Sequence, residues 1–153
     1  MTCAIFGQEN FPPEAAREFA SVMYILIYRL INVFGFTKFY VDNDGDFSHM
    51  AQTALAKFSS ERPDLELRIL LSCKDEQPIT EKGLIAYYLP EYDNYPKKSA
   101  ISKRNEWLLE HANLILTYVD SNDDECMRWI GKAMALKKTV LNLADGISYL
   151  SFL

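Results

Sequence analysis

Phe36-Thr37-Lys38-Phe39-Tyr40-Val41 runs straight into Asp42-Asn43-Asp44-Gly45-Asp46 and then Phe47. The first six residues are nearly continuous in apolar character, which suits a strand covered on both faces of its sheet. The next five are turn formers, and one is a glycine. A helix is expected over about 48–59, with Met50, Ala54 and Phe58 on one face. Pro63 closes it. Strand, polar junction and helix in that order are the parts of a parallel α/β unit.

The same order extends in both directions. Upstream, 2–7 is a short apolar run ended by Gly7, followed by Gln8-Glu9-Asn10. Pro12 and Pro13 suit a helix's first turn. Glu14 then starts a long helix in which Phe19, Val22, Met23, Leu26, Leu30 and Val33 recur at helical spacing, and Gly35 is its stop. Downstream, 65–72 is a third strand. The pattern then fails over 73–99, which holds four prolines or glycines (Pro78, Gly83, Pro90, Pro96) and Tyr87, Tyr88, Tyr92 and Tyr95. A segment of that length in a compact domain is either a lid or has short elements of its own. Ser102 is placed to cap a helix carrying Trp107, Leu108 and His111. The fourth strand is 114–119, the last helix 123–137 with Met127, Ile130, Ala133 and Met134 inward, and the fifth strand 139–143.

This alternation predicts one Rossmann-like domain over 1–153. It is an α/β three-layer sandwich with a mainly parallel five-stranded sheet, right-handed crossovers and helices on both faces. The first and fourth strands should be neighbours, with the switch point between them. Ligands of such sheets bind beyond the carboxyl ends of the strands. That rule selects Gly7-Gln8-Glu9-Asn10, Asp42 to Phe47, and Asp120-Ser121-Asn122-Asp123-Asp124. As loops, these would be polar in any case.

Composition narrows the class. Of 153 residues, 49% are hydrophobic and 24% charged, an ordinary globular balance, and the net charge is −5. An acidic chain gives no support to a nucleic-acid or anionic-membrane partner. Cys3, Cys73 and Cys126 lack metal-ligand spacing, so reduced and mostly buried thiols in a cytoplasmic protein are expected. The N-terminus does not read as a signal peptide. The apolar stretch 22–34 is interrupted by Arg29 and Asn32 and is shorter than the roughly 20 residues that span a bilayer. Its helix has more apolar positions than one buried face needs, including Tyr24, Ile25, Ile27, Tyr28 and Ile31, so self-association as a homo-oligomer is expected.

The sequence lacks a Walker-type phosphate loop, a G-x-G-x-x-G fingerprint and a G-x-S-x-G elbow. His49 and His111 fall in predicted helices and read as surface or packing residues, and Trp107 and Trp129 read as core. Asp123 and Asp124 read as acids favoured by a helix N-terminus.

Ala100-Ile101-Ser102-Lys103-Arg104-Asn105-Glu106-Trp107-Leu108-Leu109 resembles the A-I-S-x-R-N-x-W-M stretch of a bacterial branch of the SLOG superfamily. That superfamily groups DprA-like DNA-processing proteins, the "lonely guy" (LOG) nucleotide hydrolases and YpsA-like proteins. Ile5-Phe6-Gly7-Gln8-Glu9 is similar to its F-x-G-H-R, and Phe39 to Phe47 to its F-Y-V-G-N-Q-G-x-F. Leu116-Thr117-Tyr118-Val119 and Lys138 to Leu143 resemble its last two strands, so the likeness runs along nearly the whole chain. It implies a Rossmann-like sheet and a nucleotide-type ligand at the junctions. Gly7, Asn43, Gly45, Ser102, Arg104, Asn105 and Ser121 keep the pattern. The departures are at the ligand end. Gln8-Glu9 stand for His-Arg, Asp42 for a glycine, and Asn122-Asp123-Asp124 for the glycine pair of S-W-G-G.

Those departures disfavour phosphate. Glycines let backbone N–H groups approach an anion at a helix start. Asp123, Asp124 and Glu125 put three anions there instead, and two unit charges about 4 Å apart repel by about 1 kcal/mol in water and about 4 kcal/mol at an effective dielectric near 20. Trp129 and Ile130 occupy the stretch where the LOG hydrolases carry their glutamate. The expected function is therefore a non-catalytic SLOG-like protein, a sensor or regulator. It would bind a nucleotide, a nucleotide derivative or another small polar molecule, and no cofactor or metal is assigned. The alternatives are a nucleotide N-glycosidic hydrolase or deoxyribosyltransferase-like enzyme using Glu9 or Asp46, and a family member acting through protein contacts. The candidate binding residues are Gly7, Gln8, Glu9, Asp42, Asn43, Gly45, Asp46, Phe47, Ser102, Arg104, Asn105, Ser121, Asn122, Asp123 and Asp124. Arg104 has a fork suited to phosphate or carboxylate. Its other reading is a helix-surface ion pair with Glu106, Glu110 or another acid.

Overall fold

The structure, a computed structural model, describes residues 1–74, 76, 83–120, 122–146 and 149–153. The elements in order are β1 (Thr2–Ile5), α1 (Pro13–Asn32), β2 (Lys38–Val41), α2 (Gly45–Ser59), β3 (Glu66–Leu71), β4 (Ile85–Tyr88), α3 (Lys97–His111), β5 (Leu114–Thr117), α4 (Asp124–Ala135) and β6 (Thr139–Asn142). Short 3-10 turns at Pro90–Asn94 and Leu150–Phe152 complete them. The sheet is parallel throughout, in the order β4-β3-β2-β1-β5-β6. β1 lies between β2 and β5, so the expected neighbours are neighbours and the switch point is where the alternation placed it.

The sheet has six strands rather than five. Within 73–99, Ile85–Tyr88 pairs with β3 in parallel, Arg68 opposite Ile85 and Leu71 opposite Tyr88. It is an edge strand, largely exposed, so it carries neither the apolar run nor the alternation that marks a covered strand. The segment thus has short elements of its own, although residues 75 and 77–82 of it lie outside the described residues.

Successive strand residues point to opposite faces. Cys3, Ile5, Phe39, Val41, Leu67, Ile69 and Leu116 face α1 and α2 and form the larger core. Ala4, Phe6, Leu70 and Ile115 face α3 and α4 with Leu108, Leu109 and Ala133. At the end of α1, Gly35 takes φ +75° and Phe36 N donates to Leu30 O at 2.9 Å, a glycine-dependent helix stop. Of the extra apolar positions on α1, Ile27 and Ile31 are buried in the chain's own core, whereas Tyr24, Ile25 and Tyr28 are exposed. Cys3, Cys73 and Cys126 are free thiols. Among the described residues, no helix is long and apolar enough to cross a membrane.

Candidate functional site

Two glycines bring the junctions together at the switch point. A Cβ on Gly7 would lie 2.9 Å from both Tyr118 O and the Phe47 ring, so only glycine lets the chain leave β1 between β5 and α2. Gly45 adopts φ +84°, and a Cβ there would lie 2.8 Å from Glu9 O. Gln8 is buried and ties the β1 and β5 ends. Its Oε1 accepts from Asp120 N at 2.9 Å, while Nε2 donates to Asn10 O at 2.8 Å and Asp120 Oδ2 at 3.0 Å.

Asp42 ends β2 and is almost fully buried. Its Oδ1 accepts from the Ser48 hydroxyl, and its Oδ2 lies 3.3 Å from Arg104 Nη2. Arg104 reaches across from α3. It is 1% exposed, the largest fully buried side chain among the described residues. Nη2 also donates to Asp44 Oδ2 at 2.8 Å and to Asn105 Oδ1 at 3.0 Å, and Nε donates to Asn105 Oδ1 at 3.3 Å. Nη1 is buried with no hydrogen-bond partner among the described residues. Arg104 is thus in an ion pair, but a buried one with Asp42 and Asp44 rather than a helix-surface one with Glu106 or Glu110. Burial pushes the Asp42 carboxyl up to about 7, although Arg104 and Ser48 pull it down; Asp44 and Glu76 push it further up. Asn43 points the other way. Its Oδ1 accepts from Gln52 Nε2 at 3.1 Å and its Nδ2 faces Glu76 Oε1 at 3.4 Å, so it braces β2 against the residues after β3.

The third junction starts α4. Asp123 is the cap: its Oδ1 accepts from Cys126 N at 3.0 Å. Asp124 and Glu125 fill the first turn. One of the donors that would greet an anion is therefore engaged by the chain's own carboxylate, and two more acids stand beside it. Asn122 N donates to Asp120 Oδ1 at 2.9 Å. Ser121 lies outside the described residues.

These parts surround an open cleft of about 380 Å³ beyond the carboxyl ends of the strands. Of the sequence candidates, Gly7, Glu9, Asp42, Ser102, Arg104, Asn105 and Asp123 line it. Gln8, Asn43, Gly45, Asp46, Phe47, Asn122 and Asp124 are not part of that lining. Phe47 is fully buried against Phe11 and Tyr118, and Asp46 is exposed. Ser102 is not a cap, because α3 starts at Lys97 and places it in the second turn. The cleft also takes in Asp44, Lys97, Lys98, Ile101, Glu125, Cys126 and Trp129. Lys97 and Lys98 belong to the segment without a readable pattern. Trp129 read as core, but it is only half-buried, and of the residues expected inward on α4 Ala133 is buried and Ile130 half-buried, while Met127 and Met134 are exposed. A smaller hollow of about 20 Å³ lies between α4 and the sheet, lined mainly by Phe6, Ile115, Trp129, Ile130 and Val140. That is room for a water, not a ligand. Two larger open grooves, of about 560 Å³ beside α4 and β6 and about 730 Å³ beside α2 and β3, take in at most one of the three junctions, whereas the cleft takes in all three and is the candidate site. Among the described residues, no group of three or more His, Cys, Asp or Glu side chains is placed to hold a metal ion. Compared with known proteins, the chain matches no family model and no curated protein.

Proposed function

We propose that this chain is a binding protein of the SLOG kind, a sensor or regulator that holds a nucleotide derivative or a related small polar molecule without turning it over. The observation that carries this reading is convergence. Three junctions far apart in sequence, and the Ser102, Arg104 and Asn105 of the Ala100–Leu109 stretch, meet on one cleft at the switch point. Its volume of about 380 Å³ is within the range of about 300–1,000 Å³ usual for small-molecule sites. Thermal-shift screening against nucleosides and nucleotides tests it, with chromatography of the same mixtures for released base. The expected result is a stabilising ligand and no released base. A screen with no stabilising compound overturns the reading.

One observation favours a second reading, N-glycosidic hydrolysis. Asp42, with its carboxyl near 7, and Glu9 share the cleft wall, and a group poised near neutrality suits proton transfer. Asp46, the other candidate carboxylate, is exposed and outside the lining. Base release that disappears in Glu9→Gln would establish this second reading.

A further inference from the structure

We propose that the cleft selects an uncharged ligand that presents a hydrogen-bond acceptor to Arg104 Nη1, and that it discriminates against the phosphorylated form of that ligand. The inference rests on the binding reading above and narrows its ligand class.

The starting point is an imbalance in Arg104. The guanidinium is buried at the cleft wall; Nη2 meets Asp42, Asp44 and Asn105, and Nε shares Asn105. Nη1 carries two N–H donors and has no partner among the described residues. A buried donor left unmade is costly, so an acceptor brought to Nη1 gains more than the same contact on an exposed side chain. The charge on Arg104 is already compensated, by Asp42 at 3.3 Å and Asp44 at 2.8 Å. An anion brought to Nη1 would therefore meet a cation whose charge is already shared with the Asp44 carboxylate and, where it is ionised, with Asp42. A neutral acceptor such as a carbonyl, a ring nitrogen or a hydroxyl takes the hydrogen bond without that repulsion.

The rest of the lining agrees. Glu9, Asp123 and Glu125 face the same space, with Asp123 engaged as the α4 cap. Lys97 and Lys98 are the opposing charges, both exposed at the start of α3. With Asp42, Asp44 and Arg104 counted, five acids face three bases in their ionised forms. Ile101 and Trp129 add apolar surface for a flat ring. A nucleoside matches this set better than its monophosphate.

The test is titration calorimetry of the full chain with adenosine, guanosine, cytidine and uridine, each beside its 5′-monophosphate, at low and high salt. At least one nucleoside should bind about tenfold more tightly than its monophosphate at low salt, and the gap should narrow as salt screens the acids. Arg104→Lys keeps the charge and removes the fork, and should weaken that nucleoside about tenfold. Because that buried change can also unfold the chain, Asp123→Asn/Glu125→Gln serves as a second variant. It keeps an acceptor for Cys126 N, removes two charges, and should tighten the monophosphate. A monophosphate that binds as tightly as its nucleoside, drawn to Lys97 and Lys98, overturns the selectivity while leaving the binding reading intact. Nucleoside affinity unchanged in a folded Arg104→Lys chain overturns the Nη1 contact. If none of the eight compounds binds at millimolar concentration, the binding reading falls and this inference falls with it.

Discussion

The two faces of the sheet are built differently. On one face, α1 buries Met23, Leu26, Ile27, Leu30 and Ile31, and α2 buries seven residues from Phe47 to Phe58. Aromatic rings interlock there, Phe11 with Phe47 and Tyr118 at 5.8 and 4.8 Å between centroids. On the other face, α3 buries five residues from Ala100 to Leu109, but α4 buries only Ala133 of its twelve, and a hollow lies beneath it. Packing is thus sparsest under α4. The α1 and α2 face is dense along its length, and on the other face it is the loosely packed α4 that borders the cleft beside α3.

The widest gap should appear in core truncations. Phe39→Ala, on the dense face, should cost about 3–5 kcal/mol in denaturant unfolding. Ile130→Ala, half-buried over the hollow, removes less buried surface and should cost under about 2 kcal/mol. Equal losses would mean that α4 is as tightly packed as α2 and that the contrast is false.

Arg104 sits where the two faces meet, and its variants sharpen the comparison. Arg104→Ala leaves Asp42 buried without its cation, which should cost about 3 kcal/mol at about pH 8. Asp42 holds its proton more tightly folded, at about 7, than at its ordinary 3.8. The folded state therefore binds the extra proton between those values. Stability from this group is greatest at the acid end and falls as pH rises through the window, by up to about 1.4 kcal/mol per pH unit. The cost of Arg104→Ala should accordingly shrink at about pH 5, where Asp42 is protonated. Asp42→Asn should remove that part of the pH slope. Unfolding curves across the window that keep the same slope in Asp42→Asn would assign the slope to other groups.

What the chain's local pattern reveals follows from the same contrast. The covered strands are legible because burial on both faces leaves near-continuous apolar runs. They read too long at their carboxyl ends: Phe6, Tyr118 and Val119 are buried but leave the ladder to form the switch point. Apolar character reports burial, not hydrogen-bond pairing. β4 was hidden because an exposed edge needs no such run. The junctions were legible as polar turns, two of them with a glycine, but the close approaches that require Gly7 and Gly45 join segments far apart in sequence and left no local mark. The partners of Arg104 were not legible either, since Asp42 and Asp44 lie 62 and 60 residues away and no periodicity links them. Trp129 on the cleft was hidden for the opposite reason: an apolar helix residue looks the same whether it packs fully or stands over a hollow.

The smallest stability effect, and the sharpest test of the loosely packed helix, is at the start of α4. Asp123→Ala removes the acceptor for Cys126 N and should cost about 1 kcal/mol, whereas Asp123→Asn keeps it and should cost little. Hydrogen exchange should place the loss in α4, with α1 unaffected, because the cap supports a helix that buries little else. Replacing Asp123 and Asp124 together with glycine goes further. It vacates the cap, removes two negative charges and frees backbone N–H groups for an outside anion. The double variant should bind a nucleoside monophosphate more tightly than the parent does, and the gain should shrink as salt rises. If the parent binds it as tightly, the acids at this helix start do not govern the anion, and the cleft's charge balance is set instead by Lys97, Lys98 and Arg104 on α3.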